Sequence, residues 1–570
     1  MTTAGAGTGI VPRLRSRSDP DSAGPSAGKR GPAGWLRWGW WAAVPLCLLY
    51  LILLAHQLDA AIRTTNLDAD AASGPVIGEL FGAAPAGANV VLGTFGWYAT
   101  LLFYLATKWL PFHRQVWEAA PFAMALVGAG LTAWSVWHVA TRWAATVTAV
   151  LLLCTSPVTL RLELATTQHA PAWFSMVVLG AFAVWLELEP RRARPWPVIA
   201  VLVVVIGTIV GANAASDPLL SIAGVAPFAL AVIAARLLVP GGRSTRALWS
   251  GVATLAVTGV TWGITALVMS ALAVAREPGL HTTRVVIGHK NVENVTLWWK
   301  SIATIGNGDY FGRPLSPGTI LLTLCAAISI AAVISIPWLC WRQLRRRSPA
   351  ALAGAASADA AGAATTAFYV FWCSSAILLT LAFLLSAYPV DIHSGRYLLG
   401  LLSAVAAVVP AAAAGRVWTR AVVLACTCAF ALSAVVAISD RGPVPTPKSN
   451  SPVTTRVAGE IARIAAREHV SVGYAGYWDA APVTWATGFH VQVYPVSVCD
   501  QRRHLCRFDL HFISSWYRPR VHTRSFLLTD PAFANVWTRT PDLGRPSSVY
   551  RLGRVTMYVY PYDLARRIIG

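Results

Sequence analysis

Four carboxylates, Asp59, Asp68, Asp70 and Glu79, follow the first long apolar run of the chain. Charge so close to membrane depth is costly unless it is solvated or used. A carboxylate at the water–lipid boundary can accept the proton of a sugar hydroxyl and make that oxygen a better nucleophile toward a glycosyl phosphate. Asp68 and Asp70 are two residues apart and point to different faces of any helix, so one of them is expected to do the work. The plainer alternative makes them solvated loop residues or helix caps.

The second group is Asp391-Ile392-His393-Ser394-Gly395-Arg396-Tyr397, directly before a late apolar run. An arginine there is suited to a phosphate, which its guanidinium can engage with two parallel hydrogen bonds. The alternative is an interfacial anchor with Tyr397 in an aromatic belt. Arg161, Glu163, His169, Asn213 and Asp217 fall at the ends of neighbouring apolar runs, either as pocket residues or as structural ion pairs. His289 and Lys290 lie in a basic, aromatic stretch with Trp298, Trp299 and Lys300. Such a stretch cradles an anionic lipid-linked donor or simply lies in the interface.

What positions these residues is a set of membrane helices. The 570 residues are 55% hydrophobic and 12% charged, and the mean hydropathy is +0.54. A bilayer core of about 30 Å takes roughly 20 apolar residues per helix, with all backbone groups bonded internally. Eleven runs qualify: 39–58, 117–138, 144–160, 170–188, 197–213, 218–238, 248–273, 317–341, 367–387, 397–414 and 421–439. The net charge of +21 is spread over alternate short loops, with Arg142, Arg191, Arg243, Arg342, Arg345, Arg346 and Arg416 among its carriers. That distribution excludes a nucleic-acid partner. It places the N-terminus and those loops in the cytoplasm and the C-terminal segment outside, in a multi-pass protein of the plasma (inner) membrane.

The expected organisation is a disordered cytoplasmic tail at 1–37, a transmembrane domain at 38–440 and an extracytoplasmic domain at 441–570. The first external loop runs from 59 to 116, and a second long external loop from 274 to 316. The first apolar run reads as an uncleaved anchor, since further spans follow it. The stretch from Gly96-Trp97-Tyr98 to Leu110 reads as a helix lying in the interface. In the tail, Thr454 to His469 has helical spacing, and Val470–Tyr474, Val491–Val498, Ser525–Leu528 and Val555–Tyr560 read as strands, giving a small α/β domain. Cys499 and Cys506 are placed to close a short disulfide loop in an oxidising compartment. No Gly-rich phosphate loop, zinc-protease helix motif or serine-hydrolase elbow is present, which excludes the corresponding enzymes.

On these residues the chain resembles the GT-C superfamily of polytopic glycosyltransferases, which includes protein O-mannosyltransferases, aminoarabinose transferases and actinobacterial arabinosyltransferases. The resemblance rests on four features. They are the acidic first loop with Asp68 and Asp70, the Gly96-Trp97-Tyr98 to Leu110 stretch, Ser394-Gly395-Arg396-Tyr397-Leu398-Leu399, and Gly476-Tyr477-Trp478-Asp479-Ala480-Ala481-Pro482-Val483-Thr484. It implies a GT-C-like bundle of about eleven transmembrane helices with a small extracytoplasmic α/β domain. It further implies transfer of a sugar from a polyprenyl-phosphate donor to an extracytoplasmic cell-envelope glycan, lipid or protein, with inversion.

The resemblance casts Asp70, then Asp68, as base. Arg396, Tyr397, Lys290 and His289 would hold the donor phosphate, and Asp59, Glu163, His169, Asp217 and His393 would line the pocket. The Ala-, Arg- and Trp-rich composition resembles actinobacterial proteins, which points to mannose or arabinose carried on decaprenyl phosphate. Some members use a divalent cation, Mg or Mn; Asp68 and Asp70 alone make a poor cage, so no metal ligands are assigned. The alternative function is a transporter or flippase of a lipid-linked envelope precursor, and a third is a scaffold that has lost the chemistry.

Overall fold

The computed structural model describes residues 33–58, 67, 69–85, 87–92, 104–164, 169–188, 195–239, 245–272, 274–276, 285–346, 356–441, 453–498, 504–521, 523–531 and 543–569. Among them, nine helices are long and apolar enough to cross a membrane, and a tenth span counts if one bent pair is a single crossing. The helices that matter below are α1 (Ala33–His56), α2 (Ala69–Phe81), α3 (His113–Val139), α4 (Arg142–Leu153), α5 (Pro157–Leu164) and α6 (Ala170–Leu188). They continue with α7 (Trp196–Ser216), α8 (Pro218–Leu238) and α9 (Thr245–Ala271). Next come α10 (His289–Ile305), α11 (Pro317–Arg345), α12 (Ala356–Leu385), α13 (Leu399–Ala413) and α14 (Val417–Arg441).

The third apolar run is not the straight span that its composition suggests. It breaks by 86° between α4 and α5, because Pro157 disfavours helix at the residue before it and has no N–H to offer. A break inside a bundle frees backbone groups that must be bonded again. Here the carbonyl of Cys154 accepts from Asn307 Nδ2 at 2.8 Å, and the Ser156 N–H donates to Asn307 Oδ1 at 2.6 Å. Tyr50 of α1 donates its hydroxyl to the carbonyl of Thr155 at 2.8 Å. Asn307 also donates to the Phe430 carbonyl of α14 and accepts from Ser433. One asparagine, held at φ 59°, thus rivets three segments.

The stretch 274–316 likewise differs from the external loop expected. It contains α10, whose last turn buries Ile302, Ala303 and Ile305 against the bundle. Its tip descends to the level of Ser329 in α11, whose hydroxyl donates to the Gly306 carbonyl at 3.2 Å. The apolar spacing of these residues and the back-bonding of Thr304 to Lys300 make that entry tolerable. The interfacial stretch expected from Gly96 onward lies largely outside the described residues; one helical turn, Tyr104–Thr107, is seen.

The bundle closes through small residues. Gly207 and Gly211 of α7 bring that helix against α9 so closely that a Cβ on Gly211 would lie 2.4 Å from the Thr258 carbonyl. The shared core centres on α6, α12 and α13.

After α14 the composition changes and so does the architecture. Helix α15 (Thr455–Arg467), capped by Thr454, precedes β3 (Val472–Ala475), α16 (Tyr477–Ala486), β4 (Gln492–Val498), β5 (Leu505–Arg507) and β6 (Phe512–Ile513). Strands β7 (Ser525–Thr529), β8 (Ser548–Leu552), β9 (Val555–Tyr560) and β10 (Ile568–Ile569) complete the domain. A seven-stranded sheet runs β10-β5-β4-β3-β7-β9-β8, with β3 parallel to both β4 and β7. The polytopic helical fold with a small C-terminal α/β part, expected from the sequence, is therefore what the structure has.

A second sheet stitches this domain to the helical part. Its order is β2-β1-β6, with β1 (Val90–Leu92) from the first loop and β2 (Val274–Arg276) from the loop after α9. Val90 pairs with Ile513 and Val91 with Phe512.

Candidate active site

His169 and Asp217 meet first. His169 stands just before α6, where its carbonyl accepts from the Trp173 N–H. Asp217 sits between α7 and α8, with Pro218 at the first helical position, and Oδ1 caps α8 by accepting from the Leu219 N–H at 3.0 Å. Its other oxygen accepts from His169 Nδ1 at 2.6 Å, and both side chains are 2% exposed. A carboxylate this deep is tolerable because both its oxygens are bonded.

Arg396 and Tyr397 arrive from a 3-10 turn, Ile392–Leu398, leading into α13. Asp391 and Ser394 form a reciprocal cap that starts the turn. Arg396 Nη2 donates to the Tyr397 hydroxyl at 3.4 Å, and the guanidinium carbon lies 5.2 Å from the ring centre. The Tyr397 ring meets His169 edge to face at 4.7 Å. Asp217, His169, Tyr397 and Arg396 thus form one continuous chain of contacts.

His169, Tyr397 and Arg396 line a single narrow cavity whose other walls include Met176, Leu220, Ala223 and Leu379. The cavity is small, about 20 Å³, and sets a guanidinium, a group suited to phosphate, over apolar walls.

Other sequence candidates are placed elsewhere. Glu163 is buried at the α4–α5 bend, where Thr155 donates to it at 3.4 Å, and is not among the residues lining this cavity. His289 and Lys290 stand at the start of α10, and both pair with Glu293, at 3.2 and 3.1 Å. The Lys290 hydrogen bond holds the Glu293 carboxyl below its ordinary range. The two side chains therefore share a local partner, and neither lines the cavity.

Asp59, Asp68, Cys499 and the side chains of Asp70 and His393 lie outside the described residues. The backbone of Asp70 is in the first turn of α2. Cys506 is disulfide-bonded, and the seven cysteines in or beside the spans are free thiols. Among the described residues, no group of three or more His, Cys, Asp or Glu is placed to hold a metal ion.

Helix α2 does not stand alone. Ser73, Val76 and Ile77 face Tyr477, Ala480 and Ala481 of α16 and Trp516 across a small cleft. The Tyr477 segment singled out in the sequence is thus the surface against which α2 packs. Asn307 was not singled out; the Gly306-Asn307-Gly308 triplet, a polar turn among apolar neighbours, was the signal that could have found it.

No protein-family model matches this chain, and no curated protein matches it. Among solved structures it is similar to ArnT from Cupriavidus metallidurans bound to undecaprenyl phosphate. The TM-score is 0.51 at 13% identity, over 89% of this chain and 97% of that one. The apo state of the same protein aligns over the same shares with a TM-score of 0.48. At that identity the likeness speaks to the fold. The chain shares the polytopic helical fold of that protein and has its own cavity lined by His169, Tyr397 and Arg396.

Proposed function

We propose that the protein is a membrane glycosyltransferase that moves a sugar from a polyprenyl-phosphate donor to a cell-envelope glycan, lipid or protein outside the plasma membrane. The observation that carries this reading is the Asp217–His169–Tyr397–Arg396 chain heading an apolar cavity. It is supported by a fold shared with a protein captured with undecaprenyl phosphate.

In this mechanism Arg396 holds the donor phosphate and Tyr397 lies beside it. Asp70 takes the proton of the acceptor hydroxyl. The acceptor oxygen then bonds to the anomeric carbon from the face opposite the phosphate, so configuration inverts. The bond from that carbon to the phosphate oxygen breaks, and its electron pair leaves on the polyprenyl phosphate. The guanidinium stabilises the charge that grows there, where low dielectric makes it worth most. The arginine-bearing loops and the N-terminus lie in the cytoplasm, and the domain after α14 lies outside.

The test is incubation of the purified, reconstituted protein with radiolabelled polyprenyl-phosphate mannose or arabinose and an envelope extract as acceptor. Covalent transfer that Asp70→Asn abolishes, with insertion intact, is the expected result. Movement of the lipid across the bilayer without covalent change would instead make the protein a flippase.

A further inference from the structure

A second cavity, of about 370 Å³, opens on the other side of α13. Leu399 and Gly400 face the Arg396 cavity, whereas Leu401, Leu402, Val405 and Val409 face this one, and no residue lines both. Helices α4, α11 and α14 supply its remaining walls, and the tip of α10 roofs it through Ile305 and Gly306. Val422, 60% exposed, stands at its mouth.

The wall is effectively hydrocarbon. Its hydroxyls are all spent on backbone carbonyls: Ser329 on Gly306, Ser335 on Ala332 and Thr427 on Val423. Such a surface accepts an alkyl chain and offers nothing to a polar solute.

At the lower end the character reverses. Ser335 and Val409 lie seven residues before Arg342 and Arg416, which is about 10 Å along their helices. Gln343 donates to the Ala412 carbonyl at 3.2 Å and pins the end of α11 beside that of α13. This brings Arg342 within the electrostatic reach of both Arg346 and Arg416. Among the described residues, no carboxylate pairs with Arg342, Arg345, Arg346 or Arg416. Arg342 lies over Trp338 at 5.1 Å and Arg345 over Trp341 at 4.2 Å, with both tryptophans half exposed on the outer face of α11. Converging guanidiniums without a counter-charge repel one another, and an anion among them relieves the repulsion.

We propose that this cavity and the Arg342, Arg346 and Arg416 cluster form a site for one anionic glycerophospholipid of the cytoplasmic leaflet. One acyl chain fills the cavity, and the phosphate sits among the arginines at headgroup level. The site is not the donor's. The 15 residues of α13 alone separate the two ends by about 22 Å.

The experiment is native mass spectrometry on the full-length protein, stripped of lipid in detergent and titrated with phosphatidylglycerol or with phosphatidylcholine of the same acyl chains. One phosphatidylglycerol should be retained about tenfold more tightly than phosphatidylcholine. The triple variant Arg342→Gln, Arg346→Gln, Arg416→Gln should lose that preference. Ala332→Phe, which fills the cavity and leaves the charges alone, should weaken both lipids. If the triple variant does not insert, Arg416→Gln alone reads the same loss in smaller measure. Equal retention of the two lipids, or a preference that survives the arginine substitutions, overturns the proposal. So does displacement of phosphatidylglycerol by an equimolar polyprenyl phosphate.

Discussion

His169 Nδ1 lies 2.6 Å from Asp217 Oδ2, a contact made between two helix starts that are 48 residues apart in the chain. Asp217→Asn tests what that contact does. The amide oxygen still caps α8, so the fold is kept, but an N–H now faces the ring nitrogen that Asp217 had bonded. Transfer should fall by about 10- to 100-fold, the worth of one hydrogen bond to a charged group. Initial rates with a labelled donor, alongside a melting curve in detergent, check this.

Arg396→Lys keeps the positive charge and removes the planar fork. We expect at least about a tenfold loss in kcat/KM, and about 10²- to 10³-fold for Arg396→Ala. Binding of the free polyprenyl phosphate should weaken in parallel. A lysine variant with full activity would show that point charge alone is enough.

Asn307→Ala removes three side-chain hydrogen bonds from a buried turn and leaves the Cys154 carbonyl and the Ser156 N–H of the broken span unsatisfied. The cost should be about 3 kcal/mol or more. It should appear as a fall in thermal midpoint in detergent, with the donor site disturbed only through α10.

Arg114 at the start of α3 donates to the Trp485 carbonyl at 3.0 Å and lies 4.4 Å from the centre of the Trp485 ring. Arg114→Ala should loosen the C-terminal domain by about 1–2 kcal/mol. Faster proteolytic cleavage after α14, with the spans themselves intact, is the readout.

Orientation is open to direct measurement. In a background free of other reactive thiols, Gly82→Cys should react with a membrane-impermeant maleimide in whole cells. Gly415→Cys, between α13 and α14, should react only after lysis. The reverse pattern would place the acidic loop in the cytosol and end the sugar-transfer account.

Much of this architecture could be read from local sequence. Apolar length marks the spans, since lipid allows little else than a helix. Short runs rich in β-branched and aromatic residues mark β4 and β9, and shorter apolar runs mark β3 and β7, while Thr454 announces α15. The break at Pro157 was written in Thr155-Ser156-Pro157, but hydropathy averages over such a turn. The descent of α10 was not legible, because its buried face is short and its anchor, Asn307, acts on residues 123 to 153 positions away. At the site, His169, Asp217, Arg396 and Tyr397 could each be named from residue type. Their junction could not, because it depends on how four separate helix ends pack. Helix α16 escaped notice since Pro482 and its aromatics blur a helical period.

The three-stranded sheet beside α2 has a consequence for how the protein is made. Its middle strand leaves the ribosome early, yet the Asn89–Ser514 contact at its edge spans 425 positions. Closing so long a loop is entropically costly and has to wait for the far partner. Until the last segment is complete, α2, which bears Asp70, lacks the α16 face and Trp516 against which it packs.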